Sequence, residues 1–278
     1  MSDSPQASRR IGAIIVGDEI LSGRRQDKHL SKIIEMLASR GLSLSWVRIL
    51  SDDRALLTKA LQESFASGDV VFACGGIGAT PDDHTRQAAA AALGVDLMLH
   101  PEAEYEITQR CAEMATKGQG TADMSAPDNQ RRLQMGMFPA GCEIVPNPYN
   151  RIPGFFIHDH TFVPGFPVMA WPMLEWTLDH RYPHLHRSVR SEELSFIAYN
   201  IPESRITPSL EQIEQRWTDV KAFSLPSVGE GTRAAHIELG VKGAAESVKL
   251  AIEFLREEAL NLGATLEPTQ SRSASRVE

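Results

Sequence analysis

The feature that most constrains this chain is a set of short apolar stretches, each of which stops abruptly at glycine or acidic residues. Ile11-Gly12-Ala13-Ile14-Ile15-Val16 runs into Gly17-Asp18-Glu19-Ile20-Leu21-Ser22-Gly23. A strand of mixed character, roughly Leu44 to Leu50 with Ser45 and Arg48 inside it, runs into Ser51-Asp52-Asp53. Val70 to Cys74 runs into Gly75-Gly76-Ile77-Gly78, followed by Thr80, Asp82, Asp83 and Thr85. Unbroken apolar runs of about 4–8 residues belong to strands buried on both faces, the habit of parallel sheets. Between them, Leu30, Ile33, Ile34, Leu37 and Ala38, and then Leu56, Leu57, Ala60, Leu61 and Phe65, recur at helical spacing. Gly41 stops the first of these helices. Strand and helix alternating three times by residue 75 predicts an α/β fold, with a mostly parallel sheet covered on both faces. The strand ends of such a sheet share one edge, so three acidic loops converge on one cleft.

That edge has a definite chemistry. Glycines let the backbone approach a ligand and adopt positive φ, and the helix start after Asp83 offers N–H groups to an anion. Two adjacent carboxylates would repel a bare phosphate. They are accounted for if a divalent cation or a ligand donor stands between them and the anion. Asp52 and Asp53 also suit the simpler role of helix cap. Lys28 either offsets charge in the cleft or is a solvated lysine of the helix face. Cys74 reads as a small core side chain.

Further along, helices are expected from about Glu102 to Ala115 and from Asp128 to Gln134, with a Lys117-Gly118-Gln119-Gly120 break between them. His160 to Val163 reads as a strand, and Pro167 suits the first turn of a helix through Met173 and Leu178. After Tyr182 the pattern changes to strand (193–199), helix (208–217), strand (220–225), strand (236–241) and helix (244–260), a small α+β domain. The domains expected are 10–187 and 188–268, between disordered tails at 1–9 and 269–278. His158-Asp159-His160 and His184-Leu185-His186 lack a third ligand at metal-site spacing and read as structural. Trp171 and Trp176 read as core residues, because large aromatics are mostly buried for area, and Phe166 either packs in the same way or stacks on a ligand ring.

Composition excludes several classes of function. A net charge of −8 offers no basic field for nucleic acid, so RNA binding by the second domain is not expected. No apolar run spans a bilayer, so no membrane is expected. Three widely spaced cysteines, with no signal-like N-terminus, point to the cytoplasm.

Taken together, Val16-Gly17-Asp18-Glu19-Ile20-Leu21-Ser22-Gly23, Gln26-Asp27-Lys28, Ser51-Asp52-Asp53, Gly75 to Thr85 and Val163-Pro164-Gly165-Phe166-Pro167 resemble the molybdenum-cofactor-biosynthesis fold family of MoaB/Mog type, most closely its CinA-like (competence/damage-inducible) branch. Five motifs in order over about residues 10–180 carry the resemblance; the second domain is similar to the KH-like domain of CinA proteins on weaker grounds. The resemblance implies a three-layer α/β/α domain that binds a pterin phosphate or nucleotide at the strand edge. Asp52 and Asp83 correspond to the two Mg²⁺-associated aspartates of Mog-type adenylyltransferases. CinA-like members are associated with metal-dependent ADP-ribose pyrophosphatase activity. The deamidase domain of full CinA proteins is not expected here.

The expected site therefore has Asp52 and Asp83 as catalytic residues and ligands of a divalent cation (Mg²⁺, Mn²⁺ or Co²⁺). Gly17, Asp18, Glu19, Ser22, Gly23, Lys28, Gly75, Gly76, Gly78, Thr80, Asp82, Thr85, Pro164 and Gly165 are expected to bind a nucleotide or pterin, molybdopterin included. Two other readings accompany the pyrophosphatase: molybdopterin binding without turnover, and Mog-like adenylyl transfer. The resemblance also implies a homo-oligomer. Ala79 stands where many relatives have proline, Pro164-Gly165-Phe166-Pro167 where Pro-Gly-Pro-Pro is usual, and Asn147-Pro148-Tyr149-Asn150-Arg151 replaces a more flexible loop.

Overall fold

All residues of β1 (Ile11–Val16) and β3 (Val70–Cys74) are buried, as continuous apolar runs require. In the computed structural model, which describes residues 9–186, 192–229 and 234–271, these strands lie side by side within a six-stranded sheet. Its order is β2-β1-β3-β8-β7-β6, where β2 is Trp46–Leu50, β6 Glu143–Val145, β7 Gly154–Ile157 and β8 His160–Val163. The neighbours β2, β1, β3 and β8 pair in parallel, and β8, β7 and β6 antiparallel. The fold is the mostly parallel α/β architecture expected, with an antiparallel extension on one side. His158 and Asp159, at φ 47° and 59°, make the two-residue turn between β7 and β8.

Local capping decides where the first helices start. Asp27 accepts hydrogen bonds from the N–H groups of His29 (2.9 Å) and Leu30 (2.9 Å), so α2 begins at His29 and ends at Ala38, after the short α1 (Asp18–Leu21). Asp53 caps α3 (Arg54–Ser67) by accepting from Leu56 N–H at 2.7 Å. Helix α4 (Thr85–Leu93) follows the glycine stretch. The chain then forms β4 (Leu97–Leu99), α5 (Pro101–Thr116), α6 (Pro127–Gln134) and β5 (Met137–Pro139), with β4 and β5 a separate antiparallel pair. Helix α7 is Pro167–Arg181. Ile14, Val71, Ala73, Leu57, Leu61, Ala88, Phe138, Phe155 and Phe162 belong to one buried core.

The chain divides into two units, Met1–Leu37 with Ser43–Leu185, and Ala38–Leu42 with His186–Glu278. The second has an antiparallel sheet of order β10-β11-β9-β12, built from β9 (Glu192–Tyr199), β10 (Val220–Ser227), β11 (His236–Gly243) and β12 (Thr265–Leu266). Its helices are α8 (Glu203–Arg216) and α9 (Ala245–Asn261), and Ile206, Ile213, Leu239, Val241, Val248 and Leu255 share a core. Two tail assignments change. Arg9 hydrogen-bonds to the Gly68 carbonyl and pairs with Asp159. Gln270–Ser271 form β13 on β9, because their backbone groups pair with Ser195 and Leu194. The rest of both expected tails, residues 1–8 and 272–278, lies outside the described residues.

Candidate functional site

The carboxyl ends of β1, β2, β3 and β8 are stitched together where their loops leave the sheet. Gly17 N–H donates to Leu50 O and Gly75 N–H to Val163 O, each at 3.0 Å. The loops beginning at Gly17, Ser51, Gly75 and Pro164 therefore start from one edge, as the sequence required.

Only glycine fits the start of the third loop. Gly75 has φ 108°, and a Cβ there would stand 2.3 Å from the Val16 carbonyl oxygen. Gly76 has φ 70°, and its Cβ would meet Thr85 Oγ1 at 2.1 Å. Thr85 is buried, and its hydroxyl donates to Gly75 O at 3.0 Å while its N–H donates to Gly76 O at 2.9 Å. The residue expected to offer a hydroxyl to ligand instead braces the glycine backbone.

The acidic residues fall into two groups. Asp18 N–H donates to Asp52 Oδ2 at 2.8 Å, and Asp52 N–H reaches Asp18 Oδ1 at 3.4 Å. Burial, and then the charges of Asp18, Glu19 and Asp82, hold the Asp52 carboxyl above the usual carboxylate range, against the lowering effect of the Asp18 N–H. Since Asp53 caps α3, Asp52 is left to the cleft. Asp83 is in different surroundings: its Oδ2 accepts from Thr80 N–H (2.8 Å) and Thr80 Oγ1 (2.5 Å) and lies where a Cβ on Gly78 would be. Its charge acts on Arg86, a buried guanidinium that donates to the carbonyls of Gly78 and Gln134. Asp82 is thus the carboxylate of this loop whose charge acts on Asp52. Asp83 is thus held within its own loop by Thr80 and beside Arg86, and no hydrogen bond among the described residues joins it to Asp52, the other residue of the expected cation pair. Arg86, absent from the sequence expectations, has no local signal beyond its place in the first turn of α4.

A hard divalent cation fits the acidic group of Asp52 with Asp18, Glu19 and Asp82: all its donors are carboxylate oxygens, and their mutual repulsion at Asp52 is what a cation relieves. Among the described residues no three or more His, Cys, Asp or Glu side chains form a ready metal cage. The fit is therefore to a cation such as Mg²⁺, which is completed by phosphate and water oxygens.

Beside the acidic group lies a cleft of about 300 Å³ lined by Val16, Glu19, Arg25, Lys28, His29, Cys74, Gly165 and Phe166, among others. Lys28 is exposed and lines this cleft. Ser22 and Gly23 are exposed in the loop before it, Ser22 N–H closing α1 on Asp18 O at 2.9 Å. Pro164 is half-buried and Gly165 exposed. Phe166, open to either packing or stacking, is 56% exposed at the cleft because it precedes α7 on the sheet edge. Cys74 is a buried core thiol, which burial raises far above its ordinary range.

His160 is buried, in contact with Ser64 (2.7 Å) and the His158 carbonyl (2.7 Å), as a structural histidine would be. Trp171 and Trp176 are half-buried, the latter stacked on His180 at 4.7 Å. No helix among the described residues is long and apolar enough to cross a membrane.

Residues 12–186 match the family model described as "Probable molybdopterin binding domain". The chain is 30% identical over 246 residues to a "CinA-like protein" of Anaeromyxobacter sp. (strain Fw109-5), covering 82% of this chain and 57% of that protein. A "CinA-like protein" of Citrifermentans bemidjiense is 35% identical over 173 residues, covering 61% of this chain and 39% of its own length. The chain thus spans little more than half of one relative and less than half of the other. Among solved structures, CinA of Thermoplasma acidophilum, described as of unknown function, is similar with a TM-score of 0.52 and 24% identity over 62% of this chain and 98% of that one. That likeness concerns the fold.

Proposed function

From the premise that this chain belongs to the molybdopterin-binding domain family, on its CinA-like branch, we propose that it is a metal-dependent nucleotide pyrophosphatase acting at the carboxyl edge of its parallel sheet. The observation that carries the reading is the Asp18–Asp52 contact, at the same sheet edge from which the glycine turn at Gly75 and Gly76 leaves, with the charges of Glu19 and Asp82 acting on Asp52. Acidic residues next to an anion-binding backbone suit a ligand that brings both phosphates and a cation.

Each part of the edge then has a task. The backbone after Gly75 and the N-terminus of α4 hold phosphate oxygens. Thr85 and Arg86 fix that backbone by binding the carbonyls of Gly75 and Gly78. Asp52 would hold the cation, with Asp18 in contact with it and Glu19 and Asp82 adding negative charge. When bound, the cation supplies charge neutralisation to the diphosphate and acidifies water. Lys28 and Arg25 face the negative charge left on the ligand, and Phe166 covers its ring. In the hydrolysis of ADP-ribose, water adds across the P–O–P bridge: one P–O bond breaks, one forms, and AMP and ribose 5-phosphate leave. No covalent enzyme intermediate is required.

Purified protein incubated with ADP-ribose and Mg²⁺, Mn²⁺ or Co²⁺ should release AMP, and Asp52→Asn should not. Absence of AMP with all three metals overturns the activity. The lack of a ready metal cage among the described residues favours a second reading, in which a pterin or nucleotide is bound without turnover. Calorimetric binding with no product identifies that case.

A further inference from the structure

His29 is almost fully buried at 5% exposure, yet it lines the cleft beside the acidic group. Its Nε2 lies 3.0 Å from the Gly165 carbonyl oxygen. A carbonyl only accepts, so Nε2 carries the proton, and in the neutral ring Nδ1 is left as an acceptor. That Nδ1 is buried and has no hydrogen-bond partner. Leaving a buried polar atom unpaired has a real cost, and natural structures pair nearly all such atoms. The helix adds nothing to satisfy it, because Asp27 caps the backbone of His29 and Leu30 and not the ring. The residue after Gly165 is Phe166, more than half exposed over the same cleft. The residue with the orphaned acceptor and the uncovered aromatic thus line one cavity, and the Gly165 carbonyl that holds Nε2 adjoins Phe166 in the chain.

Resting on the reading that this cleft takes a nucleotide or pterin, we infer that His29 is its specificity-determining residue: Nδ1 accepts a hydrogen bond from an N–H donor on the edge of a planar ring that Phe166 covers. The ligand class is thereby narrowed to heterocycles that carry an exocyclic amine or a ring N–H at that edge. A ring with only acceptors there would leave two lone pairs facing each other. Recognition of this kind is selective because the analogue lacking the donor strands the protein's own buried atom.

The test compares AMP with purine riboside 5′-monophosphate, which lacks the 6-amino group, by calorimetry on the full chain. The wild type should bind AMP about five- to tenfold more tightly, the equivalent of one hydrogen bond. His29→Leu should bind both nucleotides equally and weakly. His29→Gln should keep part of the preference, since its amide can donate to Gly165 O and still present an oxygen. Equal wild-type affinities overturn the inference while leaving the ligand reading intact. A preference that survives in His29→Leu also overturns it, and reduces His29 to a brace for Gly165. Failure of the wild type to bind either nucleotide overturns both. If His29→Leu does not fold, the wild-type ratio and its change in His29→Gln decide.

Discussion

Asp82 and Asp83 are neighbours in the chain, but the fold gives them different surroundings. Asp82 is exposed, a Thr80 hydrogen bond holds its carboxyl below the usual range, and its charge acts on Asp52. Asp83 accepts two hydrogen bonds from Thr80 and balances the buried Arg86. Asp83→Asn should therefore reduce stability by about 1–3 kcal/mol, the cost of weakening a charged acceptor beside a buried cation, and lower activity through the loosened loop. Asp82→Asn should leave the urea midpoint unchanged, weaken Mn²⁺ binding in the presence of ADP-ribose several-fold, and move the Asp52 titration down. Urea melts and metal titrations of the two variants check this. Wild-type Mn²⁺ affinity in Asp82→Asn, with its loss at full stability in Asp83→Asn, would restore the assignment taken from the motif. The sequence could place both carboxylates in one turn. It could not say which one faces the cleft, because that depends on the Thr80 hydroxyl and on Arg86 reaching the carbonyl of Gln134, 48 residues away. Between the two roles open to Phe166 the sequence leaned to packing for a similar reason: aromatic area favours burial in general, while exposure at a strand edge follows from what else covers that edge.

At the scale of elements, helix α3 is tied to the hairpin of β7 and β8 through one histidine. The His158 carbonyl accepts from His160 Nδ1–H, so Nε2 accepts from the Ser64 hydroxyl. Burial then pushes the His160 pKa down from its ordinary value to about 4. The unfolded chain binds this proton below about pH 6.5 and the folded chain only near 4, so stability must fall as pH is lowered through that window. The loss reaches about 3 kcal/mol at the acid end. His160→Gln, which can still meet Ser64, should start less stable and show a correspondingly flatter dependence between pH 6.5 and 4. Parallel slopes for the two proteins in urea melts would remove His160 as the cause. Elements built from continuous apolar runs were legible, since β1 and β3 need no alternation to be recognised. Helix α8 was expected only from Pro208 to Trp217. The helix starts at Glu203 and tolerates Pro208 inside it, as α7 tolerates Pro172. The strands β4, β5, β6 and β7 have only three or four residues, too few for a period to register, whereas β8, equally short, was marked by the turn and helix start that follow it.

The whole molecule carries a net charge of −8, while the proposed ligand is a dianionic diphosphate. Two fields act on that ligand as it approaches. Arg25 and Lys28, both exposed and lining the cleft, attract it at short range, as does Arg24 beside them in the chain; the acidic group at Asp52 and the overall excess of acidic residues repel it at longer range. At about 10 mM salt the screening length is about 30 Å, comparable with the molecule, so the net charge prevails; at 150 mM it is about 8 Å and the local cations are felt alone. Without a divalent cation, the affinity for ADP-ribose should therefore rise a few-fold as salt increases over that range. With Mg²⁺ present the complex that binds is nearly neutral, the acidic group becomes attractive, and affinity should fall with salt instead. Calorimetric titrations at both salt concentrations, with Mg²⁺ or with chelator, read the sign directly. Metal-free binding that weakens with salt would mean that Arg24, Arg25 and Lys28 govern the approach, and the acidic edge would lose its role as the device that makes binding wait for a cation.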